Sequence, residues 1–347
     1  MWIDKKFLFS WILWVAYVFA GSAGGYSNAI KQCIIPCVIY GYLATGKPNL
    51  KSFIFYYFAG LVTSSIVALF IEQIPNMSLY VSYDMAYELD DVVRFSGLYT
   101  DPNYYSLAIM LVWSSLIVLY LYGEIKSEIF LFTVILIFFG IQTVSKSFLL
   151  MLTVMCLGLV FFLFQKKKYK IAIVLSVGII IACVLVFSGQ IHIFDNVLER
   201  LFSGNDLTTG RTEIWGEFFE IFYENPLYVL VGAGSGAGYV DGHPAHNTYI
   251  DFIYYYGLCG TFLFGVSCFY ASANERFSKS ISSFLPGIAM ILMFGFLSCL
   301  IYYDFSFTLL AILVAAKTEL NPETKGANWK NGNSADWSEY ESDGNIR

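Results

Sequence analysis

The chain has 347 residues, of which 57% are hydrophobic, 19% aromatic and only 13% charged, with a formal net charge of −6 at pH 7. A soluble domain carries roughly 25% charged and about 45–50% apolar residues, so this balance excludes one and indicates a polytopic membrane protein. The acidic residues cluster in two polar loops and the tail while lysines sit between apolar runs, and nothing in that distribution points to nucleic acid.

Crossing the hydrocarbon core as a helix takes roughly 20 apolar residues. In chain order, the hydropathy predicts spans near 7–21, 28–45, 52–71, 104–122, 128–145, 147–164, 171–188, 248–271, 283–303 and 305–316. The first has the lysines of a signal peptide but no convincing cleavage site, so it reads as a retained helix. The last is short and follows Asp304, which leaves a tilted or re-entrant segment as an alternative. The expected fold is therefore all-α, a polytopic transmembrane helical bundle of about ten spans over residues 1–316. Residues 317–347 are rich in Asn, Gly, Ser and charge, bury little, and are expected to form a disordered cytoplasmic tail.

Lysine and arginine set the orientation, because cytoplasmic loops collect them. With the N-terminus inside, Lys5, Lys6, Lys47, Lys51, Lys126, Lys166, Lys167, Lys168, Lys170, Arg276 and Lys279 are cytoplasmic. The opposite side holds only Lys31, Arg94, Lys146, Arg200 and Arg211, spread over longer loops. Two long polar segments, about 72–103 and 189–247, then face outward. Loops beyond about 12–15 residues tend to be functional or disordered.

Ahead of the fourth span, "RFSGLYTDPNYYSL" (94–107) carries Asp101-Pro102-Asn103, a turn and cap signal that starts a helix. Arg94 and Asn103 are candidate binding residues there. Between spans five and six, "TVSKSFLL" (143–150) puts Lys146 at the outer face with almost no loop around it. A cation so placed is costly unless it pairs, binds an anion or snorkels to the interface. Asp90 and Asp91 read as solvated.

In the large outer loop, "TEIWGEFFEIFY" (212–223) has helical spacing of Ile214, Trp215, Phe218, Phe219, Ile221 and Phe222. It predicts an amphipathic helix packed on neighbouring spans, with Thr212 as N-cap and Pro226 limiting its extension. Arg211 at its start adds a bidentate fork where backbone N–H groups already favour an anion. The alternative is an arginine paired with Glu213 or Asp206, or reaching lipid headgroups. Arg200 is a further outward cation.

"VGAGSGAGYVDG" (231–242) is not joined to a βαβ unit, which excludes a nucleotide-binding reading and leaves a flexible loop whose glycines let backbone approach a ligand. "DGHPAHNTYIDF" (241–252) gathers two of the three histidines at the outer end of the eighth span. His246 could be held by Asn247 or Asp251 and exchange a proton near neutral pH. A metal held by His243, His246 and Asp241 would need a helix, which Pro244 disfavours; an interfacial histidine with local hydrogen bonds is the plainer alternative. All seven cysteines lie in apolar runs without CxxC or zinc-finger spacing, which argues against a disulfide framework or a metal site.

"TGRTEIW" (209–215), "VGAGSGAG" after Pro226 and "AHNTYIDFIYYYGLCG" (245–260), in that order, together with "FSGLYTDPNYYSL", resemble the shared core of the bacterial O-antigen ligase and O-antigen polymerase (Wzy) superfamily over roughly 90–270. The resemblance implies a GT-C-type glycosyltransferase of the inner membrane, active at the periplasmic face and needing no cofactor or metal. Its substrate would be an oligosaccharide on undecaprenyl pyrophosphate, transferred with inversion to a hydroxyl of another lipid-linked repeat (polymerase) or of lipid A core (ligase). A chain-length regulator and a flippase would be its protein partners. The resemblance implies that Arg211 holds the pyrophosphate and that His246 assists the acceptor hydroxyl. Lys146 stands where relatives carry a Ser-Arg pair, so charge is kept but the planar fork is lost. Arg94, Arg200, Asn103 and Asn247 complete the expected substrate-binding set. A lipid-linked glycan flippase is the reading from a different class; nearly charge-free spans with polar residues gathered at one face argue against it.

Overall fold

The computed structural model describes residues 3–21, 26–44, 50–72, 83–85, 93–99, 101–121, 124–165, 167–190, 194–202, 210–272 and 285–298. Among them are α1 (Lys5–Ala20), α2 (Tyr26–Ala44), α3 (Leu50–Glu72), β1 (Tyr83–Met85), β2 (Val93–Phe95), α4 (Pro102–Leu121), α5 (Glu128–Gln142), α6 (Lys146–Gln165) and α7 (Tyr169–Phe187). They continue with α8 (Asp195–Phe202), α9 (Arg211–Glu224), α10 (Pro226–Val231), α11 (Thr248–Ser272) and α12 (Leu285–Phe294). The molecule is a helical membrane protein. Five of the described helices are long and apolar enough to cross a bilayer: Lys51–Ile71, Pro102–Leu121, Lys146–Gln165, Tyr169–Phe187 and Thr248–Ser272. Within the predicted ninth span the described residues form the ten-residue α12 and a turn after it, and the rest of that span lies outside the described residues. The predicted span 305–316 and the tail 317–347 lie outside the described residues, as do Asp90 and Asp91.

Helix α4 is the axis of the largest core. It is apolar on every side, which suits only a helix enclosed by others, and nearly all of its residues are buried among α3, α5, α6 and α12. Its start follows from local chemistry: Pro102 occupies the first turn, where no N–H is missed, and Asp101 Oδ1 accepts from the Asn103 N–H at 2.6 Å. By contrast α7 exposes almost its whole apolar surface, as a lipid-facing helix does.

A second group forms where α1 and α2 pack on α11 and α9 and α10 close over it. Here α11 is kinked at Gly257, with φ 61° and ψ −178°, a conformation open essentially to glycine alone. In the low-dielectric membrane the carbonyls around such a break need partners. Tyr254 and Tyr255 receive hydrogen bonds from the N–H groups of Ala233 (2.7 Å) and Gly234 (3.1 Å), and Tyr256 from the Tyr17 hydroxyl (2.9 Å). The glycine-rich segment thus approaches protein backbone rather than a ligand: a Cβ on Gly232 would stand 2.5 Å from the Tyr255 carbonyl oxygen, and one on Gly257 would stand 2.5 Å from the Gly232 nitrogen. Two of the segments that carry the family resemblance, around 231–238 and 255–260, are therefore one joint.

Gly257→Ala is expected to cost about 1–3 kcal/mol from backbone strain alone, with the clash against Gly232 added. Thermal unfolding of the detergent-purified protein measures it; an unchanged midpoint would contradict the close approach.

Candidate active site

The candidate residues come from the β1–β2 hairpin, the starts of α4, α6 and α9, and the bend before α11. The first contribution is the β1–β2 hairpin, an exception to the all-α expectation, with Tyr83 opposite Phe95 and Asp84 opposite Arg94. It sets Arg94 in the interior, 3% exposed. Arg94 Nε donates to the Thr143 carbonyl at 3.1 Å and its Nη2 to Asn103 Oδ1 at 3.2 Å. Asn103 Oδ1 also accepts from the Ser145 hydroxyl at 2.8 Å, and Ser145 Oγ lies 2.7 Å from Ser147 Oγ. Arg94 and Asn103, both expected to touch substrate, thus share one buried polar network with the α5–α6 turn. The turn itself is constrained: Val144 adopts φ 47°, rare for a β-branched residue.

That turn delivers Lys146 as the first residue of α6. Arg211 is likewise the first residue of α9, behind Gly210 in the left-handed conformation. The predicted N-cap Thr212 instead lies inside the helix, because Gly210, free of a Cβ, takes the positive φ of 79° at the boundary. Two cations therefore stand at the positive ends of helix dipoles, an arrangement that opposes the dipole and favours an anion between helix end and side chain. The Arg211 guanidinium carbon also lies 5.9 Å from the centre of the Phe296 ring. Such a cation–π contact orients the planar fork.

Helix α9 carries Arg211 because most of its predicted apolar face is seated; Phe219, expected on that face, is exposed instead. Phe218 is buried against Val240, Ala245, Ile250 and Tyr254, with Ile214, Trp215, Ile221 and Phe222 around it. Tyr223 also remains exposed. Asn225 ends the helix, as expected, and Pro226 opens the short α10, which the sequence reading did not anticipate.

His246 lies on the short bend before α11, half-buried and with φ 48°. Side chains in the left-handed region are uncommon outside turns and functional sites. Burial pulls the imidazole pKa below its ordinary 6.5, Arg211 lowers it further, the Asp101 carboxylate opposes them, and His243 makes a smaller lowering contribution. The sign leaves a neutral ring at pH 7, able to accept a proton. These influences also bring Arg211, His246 and Asp101 into one electrostatic neighbourhood, two residues along the chain from Asn103. Asn247 does not hold the imidazole: its Oδ1 caps α11, accepting from the N–H groups of Tyr249 (3.0 Å) and Ile250 (3.3 Å). Arg200 is on α8, with its side chain outside the described residues.

Residues 129–265 match the family model described as O-Antigen ligase. The match over this segment supports membership of the O-antigen ligase and polymerase family. Members of the family are glycosyltransferase-like enzymes. Of the candidate residues, Lys146, Arg200, Arg211, His246 and Asn247 fall inside the matched segment, whereas Arg94 and Asn103 lie outside it. No curated protein and no solved structure gives a significant match to the chain.

Sequence reasoning placed the cations and the imidazole but missed Asp101 as a neighbour of His246 and Phe296 as the ring beneath Arg211. Asp101 was legible only as a helix cap. Phe296 carries no local signal, since nothing nearby in the chain distinguishes it from other span-end aromatics.

Proposed function

We propose that the protein is a polymerase of lipid-linked glycan repeats, as in O-antigen, capsule or exopolysaccharide synthesis, acting at the outer face of the bacterial cytoplasmic membrane. In this reading the hydroxyl of one lipid-linked repeat attacks the anomeric carbon of a glycan carried on undecaprenyl pyrophosphate. The new glycosidic bond forms as the anomeric C–O bond to pyrophosphate breaks, with inversion. His246 accepts the hydroxyl proton. Arg211, aided by Lys146, meets the charge that develops on the leaving pyrophosphate, the kind of electrostatic stabilisation that dominates many transfer reactions. Neither a nucleotide nor a metal enters this scheme.

Arg94 and Asn103, tied to the 143–145 turn, support the placement of Lys146 in this scheme, and Asn103 holds no oxygen to spare for substrate in that network. The observation that carries the reading is a half-buried His246 in the electrostatic field of Arg211, both within the family-matched segment. A flippase would have no use for that pair.

The family description, O-Antigen ligase, favours a second reading, ligation of the finished glycan to lipid A core. Gene deletion in the native host separates the two. Loss of a polymerase leaves single repeats on the lipid A core or the carrier lipid. Loss of a ligase leaves the core bare while long glycan stays on undecaprenyl pyrophosphate. An unaltered glycan profile would rule out both.

A further inference from the structure

We infer that Asp251, together with Trp215, is a positioning residue that fixes the main chain carrying His246; this rests on the reading of His246 as the base. The evidence centres on Ala245, the residue before the histidine, which is fully buried. Its carbonyl accepts from Trp215 Nε1 of α9 at 2.9 Å, and its N–H donates to Asp251 Oδ1 of α11 at 3.3 Å. Both polar groups of this one residue are thus held by side chains from two different helices. One of those helices begins with Arg211.

On the other side of the histidine, Asn247 caps α11, and the Thr248 hydroxyl donates to the Leu297 carbonyl. His246 is clamped between these anchors in its left-handed conformation, a backbone state that persists only where the surroundings over-determine it. Trp215 and Asp251 therefore tie the proton acceptor to the helix that carries the phosphate-binding arginine.

Asp251 is an expensive way to fill space. It has no exposed surface, and its Oδ2 has no hydrogen-bond partner, although the Ser298 side chain lies beside the carboxyl. An apolar residue of similar size would pack there without an unmated buried oxygen. The hydrogen bond that Asp251 does make reaches the N–H of Ala245, the residue before His246, which gives the carboxyl a role that packing does not.

A general base works within roughly 2.6–3.2 Å of the proton it removes. Misplacement by about 1 Å can cost on the order of 100-fold in rate. Full-length enzyme purified in detergent would be assayed with lipid-linked repeats extracted from the deletion strain. Asp251→Ala is expected to lower kcat about 10- to 100-fold while KM for the lipid-linked donor stays within about threefold. Asp251→Asn, whose amide oxygen still accepts from the Ala245 N–H, is expected to restore most of the rate. Trp215→Phe keeps a packed ring but loses the N–H donor, so it carries the test by itself if Asp251→Ala does not reach the membrane folded; it too should reduce kcat and not affinity. Because both side chains act on Ala245, the double variant should lose less than the product of the single losses.

Multiplicative losses, a rise in KM at unchanged kcat, or an Asn variant no better than Ala would overturn the positioning role. His246→Ala serves as the control. If that variant retains full activity, the functional reading itself fails; if it is inactive while Trp215→Phe and Asp251→Ala keep the parental kcat, only the present inference fails.

Discussion

Replacing Arg211 with alanine is expected to reduce glycan transfer by about 100- to 1000-fold, the cost of removing one preorganised group aimed at developing charge. The guanidinium stands at the first position of α9, where the exposed backbone N–H groups add to its field, and over the Phe296 ring, which fixes its plane. A departing pyrophosphate would be met by a fork already oriented, with little reorganisation left to do. Arg211→Lys should recover part of the activity, because the charge returns without the bidentate geometry. Chain-length ladders from cells, normalised to the amount of protein in the membrane, would read both variants. A normal ladder from Arg211→Ala would remove the proposed anion site.

His246→Ala is expected to lower the rate about 100- to 10,000-fold, the usual range for loss of a positioned general base. The pH dependence gives a sharper test. Burial and the Arg211 charge depress the imidazole below 6.5, so the ring is already neutral at pH 7. Activity should hold steady above that depressed value and fall as pH drops through it and the ring takes a proton. Stability follows the same sign: the unfolded chain binds the proton more readily, so the folded state is weakened by His246 as pH falls below about 6.5.

Asp101→Asn tests the origin of the shift. Asparagine still caps α4 through its side-chain oxygen, but it removes the carboxylate that opposes the depression. The acid limb of the rate profile should move to lower pH. Movement in the other direction would contradict the placement of Asp101 beside the imidazole.

Much of the chain was readable from local pattern. The run 212–223 forms the expected helix and seats Phe218 with Ile214, Trp215, Ile221 and Phe222 around it, because a helix places residues three and four apart on one face whatever lies elsewhere in the sequence; only Phe219 of the expected face is left exposed. The Asp101-Pro102-Asn103 signal and the stop at Asn225 and Pro226 hold for the same reason, since caps and proline act within one helical turn. The glycines of 231–238 and Gly257 are a harder case. Their conformational freedom was legible, but that they spend it on each other depends on two segments meeting across α11.

By itself, the sequence determined a membrane protein with its polar chemistry gathered at the ends of apolar helices, and it singled out Arg211, Lys146 and His246. Hydropathy, capping and helix periodicity are short-range, so a single strand of text contains them. The tertiary structure decided which of those residues share a field. It buried Arg94 as a tie to the α5–α6 turn, set Phe296 beneath Arg211, put Asp101 within electrostatic reach of the imidazole, and pinned Ala245 between Trp215 and Asp251. Burial and electrostatics are properties of space rather than of chain position, and only the folded arrangement half-buries His246 in the field of Arg211 on a main chain pinned at Ala245.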